Sequence, residues 1–204
     1  MPYHDLIGTS TQQDVELDKL FMDVAKYSMR VMGPTHVENV AHIACRTALL
    51  YRGVSHITFP VDLQEREIEG ERSKRNIEGH MAELAAHGAR LPNDADLAQA
   101  ADLLNQGTKI VILAGRGALG ASAELEQLAD TLGAPIVKPL LGNAAVPDDS
   151  PYTTGGVGLL GTRPSQDAIE QCDTLLMVGT SFPYLEFLPK PGQARGIQIE
   201  LDPA

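Results

Sequence analysis

The sequence predicts an α/β fold: a parallel-sheet domain preceded by the tail of a second α/β domain. Three observations carry this. Strand-like apolar runs alternate with helical patterns from Asn93 onward. Each run is bounded by glycine or proline. An isolated β-branched run, Val54 to Phe59, stands well before them. Alternation of strand and helix is the mark of a parallel sheet covered on both faces.

The elements follow in order. Leu17, Leu20, Phe21, Val24 and Tyr27 recur at helical spacing, which predicts a helix from Leu17 to Met32 with Asp14 as its cap. Gly33-Pro34 stops it, and Thr35 opens a second helix that ends at Gly53. VSHITF then reads as one strand closed by Pro60. A lone strand leaves its backbone groups unpaired, so residues 1–62 read as the end of an α/β unit. Residues 63–92 mix charges of both signs and read as a solvated linker, with a short helix from Ile77 to His87. From Asn93 or Asp94, which cap it, a helix runs to Leu104 and ends at Gly107. The strands Lys109 to Ala114, Pro135 to Val137, Thr174 to Val178 and Gly196 to Leu201 follow. Helices Ala121 to Leu132 and Ser165 to Gln171 lie between them, so residues 93–204 form one domain.

Bulk properties exclude several function classes. The chain has 204 residues and a formal charge of −11, from 27 acidic and 16 basic side chains. That charge repels nucleic-acid phosphates and anionic headgroups. The absence of Trp removes the best stacking platform for single strands. No apolar run approaches the ~20 residues of a membrane span. Together with the two unpaired cysteines, Cys45 and Cys172, read as buried reduced thiols, this points to the cytoplasm. The six histidines, His4, His36, His42, His56, His80 and His87, lack zinc spacing with a carboxylate, so no metal site is expected.

Three stretches carry candidate chemistry. Gly115-Arg116-Gly117-Ala118-Leu119-Gly120 is GxGxxG between a strand and a helix, the context in which backbone approaches a pyrophosphate. The same pattern also serves a tight turn with no ligand. An NAD site further needs an acid about twenty residues on, at the end of the second strand. Lys138 stands there instead, which suits a 2′-phosphate and keeps NADP open; the acid Glu200 closes the last strand. Gly155 to Arg163, GGVGLLGTR, places four glycines before a helix. Thr180, Ser181, Phe182, Pro183 and Tyr184 follow the strand at Thr174 to Val178, with two aromatics suited either to a flat ring or to the local core. These features together predict a Rossmann-like dinucleotide domain.

In these stretches the chain resembles thiamine-diphosphate-dependent enzymes of the pyruvate oxidase and quinone-dependent pyruvate dehydrogenase type. The phrases AGRG, LADTLGAPIVKPLLGNAAVPDDSPYTTGGVGLLGT, CDTLLMVGTSFPY and IQIELDPA resemble the family's central domain. TQQDVELDKLFMDVAKYSMRV and VSHITFPVDLQ resemble the end of its pyrimidine-binding domain. The resemblance implies an FAD site made by Gly115, Arg116, Gly117, Gly158, Leu159, Leu160, Gly161, Arg163, Thr180 to Tyr184, and Glu200, which stands where relatives have Asp. It places Gln13 near the thiazolium ring, followed by Asp14 where the family has Glu. It implies thiamine diphosphate and Mg²⁺ in the parent enzyme, a 2-keto acid such as pyruvate as substrate, and a homodimer or homotetramer. The family's activating glutamate and its metal-diphosphate motif fall outside the sequence, so the chain is expected to be a part that is inactive alone. The alternatives are an acetolactate-synthase-like carboligase with structural FAD, and a spacer or dimerisation module with an empty nucleotide pocket.

Overall fold

The computed structural model describes residues 2–67, 72–77 and 91–201. The chain divides into two compact units, residues 1–89 and 90–204. Both are α/β with parallel pairing.

The first unit begins with a four-residue helix, α1 (Leu17–Leu20), followed directly by strand β1 (Ala25–Arg30). The expected helix from Leu17 to Met32 is therefore corrected. Residues 25–30 gain a parallel partner in β2 (Val54–Thr58), with Arg30 opposite Thr58. Ladder hydrogen bonds and the half-buried Tyr27 side chain outweigh a chance helical spacing. The run at Val54 is thus not a strand without a neighbour in this sequence. Asp14 caps no helix; its carboxylate accepts from the Ser10 amide at 2.9 Å. A single helical turn at Pro34–His36 contains Thr35 and leads into α2 (Val37–Tyr51), which crosses back between the two strands. Arg52, at φ +47°, closes α2 in the left-handed region where glycine is usual. A short helix α3 (Val61–Gln64) buries Leu63 against Val31 and Val40.

In the described part of the linker, where most side chains are exposed, three side-chain contacts reach α2 and the turn before it. Arg72 pairs with Glu38, Asn76 bonds the Thr35 carbonyl at 3.3 Å, and Asn39 bonds Asn76 at 2.9 Å. Most of the helix expected from Ile77 to His87, with His80 and His87, lies outside the described residues.

The second unit opens on α4 (Asp94–Asn105), capped by Asn93, whose side chain accepts the Asp96 amide at 2.8 Å. Five parallel strands follow: β3 (Ile110–Ala114), β4 (Ile136–Lys138), β5 (Thr153–Gly156), β6 (Thr174–Val178) and β7 (Arg195–Ile199). Their order in the sheet is β5-β4-β3-β6-β7. Strand β5 was not expected. Its Thr-Thr-Gly-Gly sequence has no apolar run, and it forms an edge paired only with β4.

Burial explains the pattern. All five residues of β3 are buried. Ile110, Ile112 and Ala114 join Leu125 and Ala129 of α5 (Ser122–Leu132) on one face. Val111 and Leu113 join Ile169 of α6 (Arg163–Gln171) on the other. Each large side chain removed from water this way contributes about 1.5–3 kcal/mol. Gly133, at φ +60°, ends α5. The sheet grows from β3 to β4 and β5, then returns across β3 to β6 and β7. That reversal puts a switch point at the carboxyl ends of β3 and β6, where parallel sheets take ligands.

Candidate functional site

The candidate site is built from loops at the carboxyl ends of the five strands of the second unit. At the switch point the loops after β3 and β6 touch through their backbones. Gly115 donates its N–H to the Val178 carbonyl at 2.8 Å, and Gly117 to the Gly179 carbonyl at 2.9 Å. A side chain on Gly115 would strike Thr180, and a Cβ on Gly117 would lie 2.7 Å from the Gly179 Cα. The first two glycines of GxGxxG thus let two loops interlock, and their amides are already engaged. A Cβ on Gly120 would meet nothing.

The second glycine stretch divides in two. Gly155 and Gly156 belong to β5, and Gly158 to Gly161 form a tight turn closed by the Gly161 amide on the Gly158 carbonyl at 2.8 Å. Gly158 sits at φ +107°, in the left-handed region. Val157, Gly158, Gly161, Thr162, Arg163, Gln166 and Phe187 line a cleft of about 270 Å³. Arg163 is 78% exposed and pairs with Asp167 at 2.7 Å. Arg116 is exposed on the loop after β3 and does not line that cleft.

The loop after β6 spans the same edge. Phe182 is buried in the core beneath β6, while Tyr184 is half exposed and meets it edge-on at 5.6 Å. The two aromatics therefore divide the expected roles, one filling the core and one facing outward. Phe182 also lies beneath Gly158, 3.9 Å from where a Cβ would stand. Thr180 is partly buried, and Ser181 and Pro183 are exposed. Glu200 follows β7, is exposed, and accepts the Leu201 amide at 2.7 Å. Its strand is tied to the β6 loop, since Gln198 reaches the Thr180 carbonyl at 3.3 Å. The edge therefore brings together all the expected loops. Gln13 lies in the other unit, exposed and at φ +64°.

Two features stand out at this edge, of which Leu140 and Leu141 went unread in the sequence. Leu140 and Leu141 turn outward after β4, 77% and 70% exposed, and Leu159 and Leu160 are 84% and 89% exposed. The signal was a repeat: Leu-Leu-Gly occurs at 140–142 and again at 159–161. The two pairs follow β4 and β5, which lie side by side in the sheet. The second feature is Lys138. It is not placed to receive a 2′-phosphate, because its side chain is fully buried and its ammonium already bonds the Val146 carbonyl at 3.1 Å and Asp148 at 2.6 Å.

Other groups stand apart from this edge. Asp173, at the opposite end of β6, accepts from the Thr108 hydroxyl and amide and the Lys109 amide. The Thr108 hydroxyl leads the bonds that hold its carboxyl down to about 2. Burial pushes the Cys172 thiol up to about 11, whereas Cys45 is exposed rather than buried. Among the described residues no three His, Cys, Asp or Glu side chains could hold a metal ion. Among them, too, no helix is long and apolar enough to cross a membrane.

Comparison with known proteins accords with this geometry. Residues 97–204 match the family model "Thiamine pyrophosphate enzyme, central domain". A Bacillus subtilis protein with the provisional description thiamine pyrophosphate-containing protein is 35% identical over 97% of this chain and 33% of its own length. A Methanocaldococcus jannaschii protein provisionally named acetolactate synthase large subunit is 31% identical over 98% of this chain and 34% of its own. The pyruvate oxidase of Lactiplantibacillus plantarum is 27% identical over 97% of this chain and 32% of its own. The chain spans about a third of the length of each of these relatives. It belongs to the thiamine pyrophosphate enzyme family, whose central domain its residues 97–204 match.

Proposed function

We propose that the second unit binds FAD across the carboxyl edge of its sheet, as part of a thiamine-diphosphate-dependent enzyme that oxidatively decarboxylates pyruvate or a similar 2-keto acid. One observation carries the reading: the loops at the carboxyl ends of one sheet include interlocked glycines, four exposed leucines after the paired strands β4 and β5, and two exposed arginines. The leucines fit a flat apolar ring such as isoalloxazine, and Glu200 fits ribose hydroxyls on the far side of the sheet. FAD, when bound, supplies a two-electron acceptor. Because the Gly115 and Gly117 amides are engaged, Arg116 and Arg163 carry the pyrophosphate, and Arg163 lines a cleft that admits it. Thiamine diphosphate and Mg²⁺ belong to the whole enzyme; the described residues offer no cluster for the metal. Gln13 is its contribution near the thiazolium, and a homodimer or homotetramer its assembly.

A second reading stands beside this one, since the relatives include a protein provisionally named acetolactate synthase. In such a carboligase FAD is structural. Titration of the purified chain with FAD, followed by flavin fluorescence and by absorbance near ~450 nm after gel filtration, tests the site. Retained flavin supports it, and a chain that takes up none is a spacer. Reduction of that flavin by pyruvate in the whole enzyme supports the oxidase; acetolactate formed without net flavin reduction supports the carboligase.

A further inference from the structure

Lys138 has the largest side chain among the fully buried described residues. A lysine is rarely buried unless paired, because removing an ammonium from water costs several kcal/mol. Its position is the last residue of β4. Its backbone carbonyl accepts the Val157 amide at 3.0 Å, which fixes the start of the turn bearing Leu159 and Leu160. Its ammonium holds the Val146 carbonyl and Asp148, which fixes the far end of the loop bearing Leu140 and Leu141. One residue thus spans the roots of both leucine loops. The chemistry proposed above does not use it, and its charge is held by Asp148, which is itself 83% exposed.

We propose that Lys138 and Asp148 form a positioning clamp that sets the two leucine loops for the ring half of the dinucleotide without touching it. The inference rests on the FAD reading. The buried ammonium selects one conformation of residues 139–148, so that loop is shaped before ligand arrives. Loss of the clamp lets the loop populate other conformations, and the apparent affinity falls by the fraction that remains competent. The adenosine half, assigned to the β7 side, does not depend on this loop.

The test compares FAD and ADP binding by the full chain with that of Lys138→Met, Asp148→Asn and Asp148→Glu. Lys138→Met keeps the length of the side chain and removes the ammonium. A charge-assisted bond lost from the competent conformation corresponds to a roughly ten-fold or greater weakening. We expect that weakening for FAD in Lys138→Met and Asp148→Asn, ADP affinity within about two-fold, and substantial recovery of FAD in Asp148→Glu. A general loss of stability would move both ligands and would not be rescued by glutamate. Should Lys138→Met fail to fold, Asp148→Asn decides alone, since its site is exposed. FAD binding by the unaltered chain with no change in Asp148→Asn overturns the clamp and leaves the cofactor reading standing. ADP weakened as much as FAD also overturns it. No FAD binding by the unaltered chain overturns the cofactor reading, and the clamp with it.

Discussion

Gly117 and Gly179 are joined at the switch point of the sheet: the Gly117 amide donates to the Gly179 carbonyl at 2.9 Å, and a Cβ on Gly179 would stand 2.5 Å from the Gly117 Cα. The contact is backbone on backbone, so neither side can yield by rotating a side chain. Gly179 also sits at φ +60°, where an L side chain costs about 1–2 kcal/mol. Gly179→Ala is expected to destabilise the chain by about 2–4 kcal/mol, combining that cost with overpacking. Gly120→Ala, in the same motif but facing open space, is expected to stay within about 0.5 kcal/mol. Urea denaturation of the two variants measures the contrast, and equal effects would remove the interlock from the account.

The pyrophosphate assignment separates the two arginines. Arg163→Ala is expected to weaken FAD by roughly ten-fold or more, through one lost charge-assisted bond. Its surface pair with Asp167 contributes only about 0.3–0.5 kcal/mol, so stability should hold. Arg116→Ala tests the loop after β3 in the same titration. Unchanged affinity in both variants would place the phosphates elsewhere.

Glu200 reports on the adenosine half alone. Glu200→Gln is expected to weaken FAD more than FMN, because FMN lacks the adenosine. Equal effects on the two flavins, read by fluorescence titration, would move the ribose away from β7.

Acid stability follows from Asp173. Its carboxyl is held at about 2, against an ordinary value of 3.8, by bonds from Thr108, Thr174 and Lys109. A depressed folded value means that the ionised form stabilises the fold, fully above the ordinary value and progressively less as pH falls towards about 2. Melting temperature should therefore drop between about pH 4 and pH 2, and Asp173→Asn should flatten that part of the profile while lowering the melting temperature at pH 7. A variant with an undiminished acid slope would shift the cause to another carboxyl.

Thiol chemistry distinguishes the two cysteines. Cys45 is exposed, while Cys172 is buried with its thiol pushed up to about 11. A thiolate-directed reagent at pH 8 should modify Cys45 alone in the folded chain and both after denaturation. Peptide mapping of the alkylated protein identifies which has reacted.

The sequence alone determined the α/β class and most of the second unit, because those signals are local. The apolar runs at β3 and β6 are long enough to cross a sheet buried on both faces, and Asn93 and Gly133 mark helix ends by their own chemistry. The candidate loops were legible for a related reason: glycine-rich and aromatic segments stand directly after strand-like runs in the sequence. Tertiary structure decided what depends on distant partners. Residues 25–30 are a strand because β2 lies beside them, and residues 153–156 are a strand because β4 offers an edge, though neither pattern says so. The Gly115 and Gly117 amides are engaged because the β6 loop arrives across the sheet, more than sixty residues later in the chain. Lys138 reads as suited to a 2′-phosphate until the Val146 carbonyl and Asp148 meet its ammonium and its charge is held by the protein rather than by a ligand. Pairing, burial and hydrogen-bond partners are properties of what meets in space, and a one-dimensional pattern carries them only where the neighbours are also near in sequence.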